Sequence, residues 1–342
     1  MFSSRSLYKI AELDASMVQA NQKGELQRTE GTIWRQGDQA NGLLLIQDGG
    51  LSLSAQSAFG QHEISLMEGP FIAGLSEFGV TDLRSTQLDV RTERPPLFIT
   101  EADAHVLLLE DSRTGVSFRR LCLFSLDRAL RFCNEQLFGF FRDASQSQDP
   151  RVISGVFEAI RVEKPADPAE VRAFFDIPDG SSDALVQLGF WKRTYNAGSK
   201  LARRGARGDE AFFIRSGQVR VSLKIPGVGE EALSILGPGQ IAGELALIED
   251  GVRSADLIAH GGPVKVYVLN RSGFRRLMSG SIDNSHWLGA RIVSALCYRL
   301  AEAVERSISF HMLAAGSKVS DDKGKLPFDV QASDIDFRKG TD

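Results

Sequence analysis

The chain repeats itself, and the repeat limits what it can fold into more than any other feature does. Arg35 to Gly49 reads RQGDQANGLLLIQDG, and Arg203 to Gly217 reads RRGARGDEAFFIRSG; the two align without a gap. Each has an arginine, a glycine two residues on, and an apolar run closed by a polar–glycine turn. Leu51 and Leu53 then alternate in the first copy, and Val219, Val221 and Leu223 in the second. Alternation after a glycine turn predicts a β-hairpin with one buried face. The copies stay in step through Gly74 and Arg84 in the first and Gly243 and Arg253 in the second. Each then continues into an apolar stretch predicted as a strand, Val106 to Leu109 and Val264 to Leu269. Both end in helix-period sequence, Ser117 to Ser145 and about Ser285 to Ala315. In the latter, Ile292, Leu296, Leu300, Val304 and Ile308 form an apolar stripe.

The unit is therefore a many-stranded, glycine-punctuated β-structure followed by a long helix, used twice. The expected fold class is α+β: two tandem antiparallel β-rolls, jelly-roll-like, each with flanking helices and a long C-terminal helix. With 342 residues, 42% hydrophobic and 25% charged, the chain can give each unit its own core. The expected division is residues 1–145, a linker over 146–180, a second domain over 181–315, and a polar tail over 316–342. The linker carries Pro150, Pro165, Pro168 and Pro178. Within it a short helix is predicted over Ala169 to Phe175, with Asp167 as N-cap and Pro168 at the first helical position.

Chemistry concentrates in the second copy, in Gly243-Glu244-Leu245-Ala246-Leu247-Ile248 followed by Arg253-Ser254-Ala255. A glycine beside small residues lets backbone N–H groups approach a ligand and form an anion-binding nest. A short helix starting here aims its positive end at the same place. An arginine ten residues on can clamp the anion through charge-assisted hydrogen bonds. Glu244 would repel an anion unless it serves another group, and a ribose hydroxyl is the natural one. An acid for a sugar plus arginine and N–H groups for phosphate describes a nucleotide monophosphate.

The segment A-G-E-L-A-L-I-E-D-G-V-R-S-A resembles the phosphate-binding cassette of the cyclic nucleotide-binding domain family, and the resemblance extends over about Leu185 to Ala315. Its departure is Ala242, where the family carries an aromatic or larger apolar residue. The resemblance implies that Glu244 accepts from the ribose 2′-OH and that Arg253 binds the exocyclic phosphate oxygens. It implies that Leu245 and Ala246 offer backbone N–H groups and that Gly243 permits close approach. Ser254 would touch phosphate or base, and Ala255 completes the R-S-A triplet. It implies cAMP, favoured over cGMP, as the ligand. The purine would stack under the last helix, with Leu296, Tyr298 and Leu300 as lid candidates, although an aromatic or leucine stripe there is more often ordinary core or a dimer seam. By the same resemblance the protein is a non-enzymatic signalling regulator, tandem as in protein kinase A regulatory subunits. Ligand would move the terminal helix against the first domain or an unidentified protein partner. The alternatives are a structural adaptor with empty pockets and a transcription regulator acting through a partner.

The first copy lacks part of this set. Arg84 matches Arg253, but Leu75 stands where Glu244 stands, and Glu77 lies two residues late. Losing a hydrogen bond to a charged acceptor costs about 1.5–3 kcal/mol. The first copy is therefore expected to be structural or to take a different ligand.

The rest narrows the field. The net charge of -4 argues against a dedicated nucleic-acid binder, though not against a local basic patch, and the polar tail cannot hold a three-helix DNA-reading module. Cys122, Cys133 and Cys297 are odd in number and far apart, with no metal-ligand spacing. They read as reduced thiols packed on helices, so no metal is expected. The five histidines are scattered and no nucleophile or phosphate-loop motif occurs, so no catalysis is expected. The N-terminus lacks a signal peptide and no apolar run reaches ~18 residues, which points to the cytoplasm and no membrane. Phe118, Phe124, Phe132, Phe138, Phe140 and Phe141 exceed what one helix face needs. They suggest inter-domain packing first and a homodimer second. Arg203-Arg204-Gly205-Ala206, which looks like a kinase pseudosubstrate, is read as part of a turn.

Overall fold

The structure is a computed structural model, and it describes residues 4–21, 28–57, 60–144, 164–177, 188–225, 229–249, 251–280, 282 and 285–323. The first half opens with helix α1 (Ser4–Asn21). Seven strands follow: β1 (Glu30–Trp34), β2 (Gly42–Ile46), β3 (Gly50–Ser57), β4 (Gly60–Glu68), β5 (Phe71–Ala73), β6 (Gln87–Arg91) and β7 (Leu97–Thr100). Helices α2 (Glu101–Leu109) and α3 (Arg113–Ala144) close it. The second half runs β8 (Lys164–Pro165), α4 (Pro168–Phe174), β9 (Trp191–Tyr195), β10 (Lys200–Ala202), β11 (Glu210–Ile225), β12 (Gly229–Leu236) and β13 (Ile241–Ala242). It continues through α5 (Leu245–Ile248), β14 (Asp256–Asn270), α6 (Arg271–Met278) and α7 (Ser285–Lys323).

The α+β architecture is the one the repeat predicts, and the strands pair antiparallel. In the first half one sheet has the order β1-β6-β3-β4 and another β5-β2-β7. In the second half the order is β12-β11-β14-β9-β8, with β10 on β14 and β13 on β11. The alternation works as read: Leu51 and Leu53, and Val219, Val221 and Leu223, are buried. The repeat also survives as matching bridges, Gln39 with Leu83 and Arg207 with Val252.

One apolar core runs from β2, the fully buried GLLLI strand, through α1 and α3 to α7 and the Phe175–Phe190–Phe213 ring cluster of the second half. A second core, built from Phe212, Val219, Leu236 and Val266 among others, fills the β11–β14 structure. The three cysteines are buried on α3 and α7. Phe118 and Phe124 are core residues where α3 packs beside α1 and α7; the side chains of Phe138, Phe140 and Phe141 lie outside the described residues.

Two expectations need correction. Val106 to Leu109 is helical, not a strand. Thr100 caps α2 by accepting from the Asp103 backbone N–H, and Glu101 and Asp103 sit in the first turn, where carboxylates favour a helix start. Helix α7 does not stop near Ala315 but continues through Lys323, into the stretch assigned to the tail. Leu296 and Leu300 are buried in the shared core, in line with the core reading of this stripe, and Tyr298 is 55% exposed. The linker helix forms as predicted, Asp167 accepting from the Ala169 N–H with Pro168 at the helix start. Pro150 and Pro178 lie outside the described residues. The α1 helix carries no strong sequence signal, because its buried stripe of Ala11, Ala15 and Val18 is made of small residues.

Candidate functional site

Strand β13 delivers the chain to Gly243, whose φ of +80° only glycine adopts without strain. A Cβ here would also collide with Arg253 Nη1. The turn swings Glu244 inward, where it is fully buried, and starts α5 on the next residue. Leu245 and Ala246 follow, both buried. The loop before β14 then places Arg253 against the same glycine.

Arg253 is 7% exposed and tightly aimed. Its Nη2 donates to the Glu210 carbonyl at 2.7 Å, its Nη1 donates to the Gly243 carbonyl, and its guanidinium lies 5.5 Å from the Phe212 ring centroid. Arg193 holds Glu210 with a bidentate pair at 2.7 and 2.9 Å, steadying the carbonyl that aims Arg253. Burial pulls the Arg253 guanidinium below its ordinary pKa, and the carboxylates of Glu244, Glu210 and Asp209 only partly oppose this. A buried cation so placed gains from any further anion. Gly208 faces this corner; a Cβ there would overlap that of Ala246 and lie 3.1 Å from Arg253 Cζ. Ser254 is half-buried and Ala255 buried behind the arginine.

Glu244 is the other pole. Its Oε1 accepts from Arg299 Nη1 at 2.6 Å. Its Oε2, equally buried, finds no hydrogen-bond donor among the described residues. A buried carboxylate oxygen without a donor is costly, and a ligand hydroxyl would satisfy it. The residues singled out in the sequence thus converge: Gly243, Glu244, Leu245, Ala246 and Arg253 share one corner, flanked by Ser254 and Ala255. The Arg203–Ala206 stretch is a turn beside them, Gly205 N–H donating to the Arg253 carbonyl at 2.9 Å.

Two arginines at the site were not evident from the sequence. Arg299 comes from α7, and Arg131 comes from α3 of the first half. Arg131 Nη2 donates to the Leu245 carbonyl at 2.9 Å, and its Nε bonds both oxygens of Asp127 at 3.0 Å. Glu249 lies 3.7 Å away. Burial alone would lower the Arg131 pKa, but the Asp127 carboxylate lifts it above its ordinary range. Both arginines sit on polar faces of long helices, and no local pattern tells which exposed-looking arginine meets a distant loop.

The first half shows the same frame with other side chains on it. Gly74 also has positive φ, +91°, and Arg84 Nη2 donates to the Gly42 carbonyl at 2.6 Å, as Arg253 does to Glu210. Trp34 stacks 4.0 Å from the Arg84 guanidinium. Leu75 is buried where the second half has Glu244.

The cyclic nucleotide-binding domain family matches residues 192–281 of this chain. The cGMP-dependent protein kinase egl-4 of Caenorhabditis briggsae is 41% identical over 90 residues, 26% of this chain and 12% of that protein. The cAMP-dependent protein kinase type II regulatory subunit of Drosophila melanogaster is 35% identical over 102 residues, 30% of this chain and 26% of that one. The cyclic AMP receptor protein of Thermus thermophilus is 36% identical over 70 residues, 20% of this chain and 32% of its own. The chain therefore spans a third or less of each of these relatives. Among solved structures, the regulatory domain of Toxoplasma gondii PKA with cAMP aligns over 79% of this chain and 92% of its own. Its identity is 16% and its TM-score 0.27, too low to bear on function.

Proposed function

We propose, on the premise that residues 192–281 form a cyclic nucleotide-binding domain, that this chain is a non-enzymatic cyclic-nucleotide receptor with its site at Glu244 and Arg253. The observation that carries this is the unsatisfied Glu244 Oε2, buried in the same corner as a guanidinium short of anionic charge. A ribose hydroxyl answers the first need and a cyclic phosphate the second. Gly243, Leu245 and Ala246 form the backbone wall of the seat, with Ser254 and Ala255 at its side. We divide the chain as 1–145, 146–180 and a third segment from residue 181 through the end of α7, with the ligand in the third segment.

The mechanism follows from the ties of the site. Arg299 joins Glu244 to α7, and Arg131 joins the Leu245 carbonyl to α3. A ligand that re-aims Glu244 or shifts α5 changes what both helices touch, and so the surface offered to a protein partner. It moves that equilibrium only by its differential affinity for the two arrangements. The ligand is cAMP ahead of cGMP, although the matched kinases are named for both. Among the described residues no helix is long and apolar enough to cross a membrane.

Calorimetric titration of the full chain with cAMP and with cGMP tests the proposal. Binding of cAMP by the wild type, lost in Arg253→Ala, is expected. Heat-silent titrations with both nucleotides against folded protein would reject it and leave the structural adaptor.

A further inference from the structure

In the first half, Glu77 stands at the position of Ala246, three residues after the left-handed glycine of its own copy. Ala246 aims its Cβ at the corner formed by Gly208 and Arg253. A glutamate at the matching place sends its carboxylate into the matching corner. Glu77 Oε2 lies 3.5 Å from Arg84 Nη1, with both side chains almost wholly buried. The other oxygen, Oε1, accepts from Ser76 Oγ at 2.9 Å, from the Ser85 N–H at 3.2 Å and from Ser85 Oγ. Ser85 and Arg84 correspond to Ser254 and Arg253. The Glu77 carboxylate therefore collects an arginine, a serine hydroxyl and a backbone N–H, the donor types that an oxyanion takes. The turn that carries it is helical, Phe78 N–H donating to the Gly74 carbonyl at 3.2 Å. This helical start points Glu77 toward Arg84, not away from it.

We infer that Glu77 is a built-in anion that fills the first half's oxyanion seat and so decides which half of the chain can take a charged ligand. The seat is complete in its donors and occupied by the chain's own side chain. The inference rests on the proposed reading of Arg253 only for the identity of the second half's ligand, not for the occupancy of the first.

The test separates the two. Thermal unfolding of the full chain is followed while inorganic phosphate is titrated at constant ionic strength. The variants are wild type, Glu77→Ala, Glu77→Gln and Glu77→Ala/Arg84→Met. Vacating the seat leaves Arg84 buried and uncompensated. Glu77→Ala should therefore melt below wild type and regain part of the loss as phosphate rises, beyond any response of the wild type. Glu77→Gln, which keeps the shape and removes the charge, should show a smaller gain if Glu77→Ala does not fold. The double variant should show no gain beyond wild type. A folded Glu77→Ala, or Glu77→Gln in its place, that responds to phosphate no more than wild type overturns the inference. So does a double variant that gains as much as Glu77→Ala. If wild type fails to bind cAMP while Glu77→Ala gains with phosphate, the receptor proposal falls and this inference stands.

Discussion

Glu244 and Arg253 are buried charges whose surroundings leave each incompletely matched, and the predictions at the residue scale follow from that. Glu244→Gln keeps the shape but weakens both the Arg299 contact and the hydroxyl acceptor. A lost hydrogen bond to a charged group costs about 1.5–3 kcal/mol, so cAMP affinity is expected to fall roughly 10- to 100-fold by calorimetry. Gly208→Ala tests the tightness of the corner, since its Cβ has nowhere to go between Ala246 and Arg253. Overpacking of this kind costs about 1–3 kcal/mol, and urea unfolding of the variant should show it. The same corner shows how far local sequence reaches. The glycine, acid and arginine announced themselves by spacing. That Glu244 already shares one oxygen with Arg299 did not, because the partner lies 55 residues away, on the polar face of a helix whose pattern shows only its apolar stripe.

At the scale of elements, α1 matters most for what it buries. Asp14 sits on its inner face, 3% exposed and 3.4 Å from Arg120 of α3. Burial raises its pKa to about 6 against the Arg120 and Ser117 contributions that lower it. The folded chain therefore holds this proton more tightly than the unfolded chain, whose ordinary value is 3.8. Stability from this group is fullest below pH about 4 and declines as pH rises to about 6, then stays level. Asp14→Asn is expected to remove that slope and to raise the neutral-pH stability by about 1–3 kcal/mol. Chemical denaturation of both proteins across this range checks it. Periodicity predicted α3 and α7 because their large apolar residues recur on one face. It missed α1, whose buried stripe is made of small residues, and turned α2 into a strand. A nine-residue helix with apolar residues Val106 to Leu109 in a row presents no 3.6-residue rhythm, and only its Thr100 cap declares it.

Across the whole molecule the halves share one core, and a polar contact runs from α3 of the first to the α5 loop of the second. Arg131 makes that contact, and Asp127 behind it is fully buried. Arg131→Ala strands the carboxylate and is expected to destabilise the chain by about 3–5 kcal/mol, seen in thermal or chemical unfolding. Coupling between sites is reciprocal, so cAMP should increase amide protection along α3 in the wild type. In Arg131→Lys, which keeps the charge but not the forked geometry, that ligand-dependent protection should shrink. Hydrogen exchange with and without cAMP measures it. The sequence by itself determined the duplicated antiparallel architecture and the spacing of the glycine, acid and arginine. Hydrophobic alternation and turn glycines act between near neighbours and leave their marks in the string. Only the tertiary structure decided that Arg299 and Arg131 reach the site and that the Glu77 carboxylate meets Arg84 and Ser85. Those outcomes depend on where residues far apart in the chain meet once burial has removed the water between them, and no local pattern encodes that meeting.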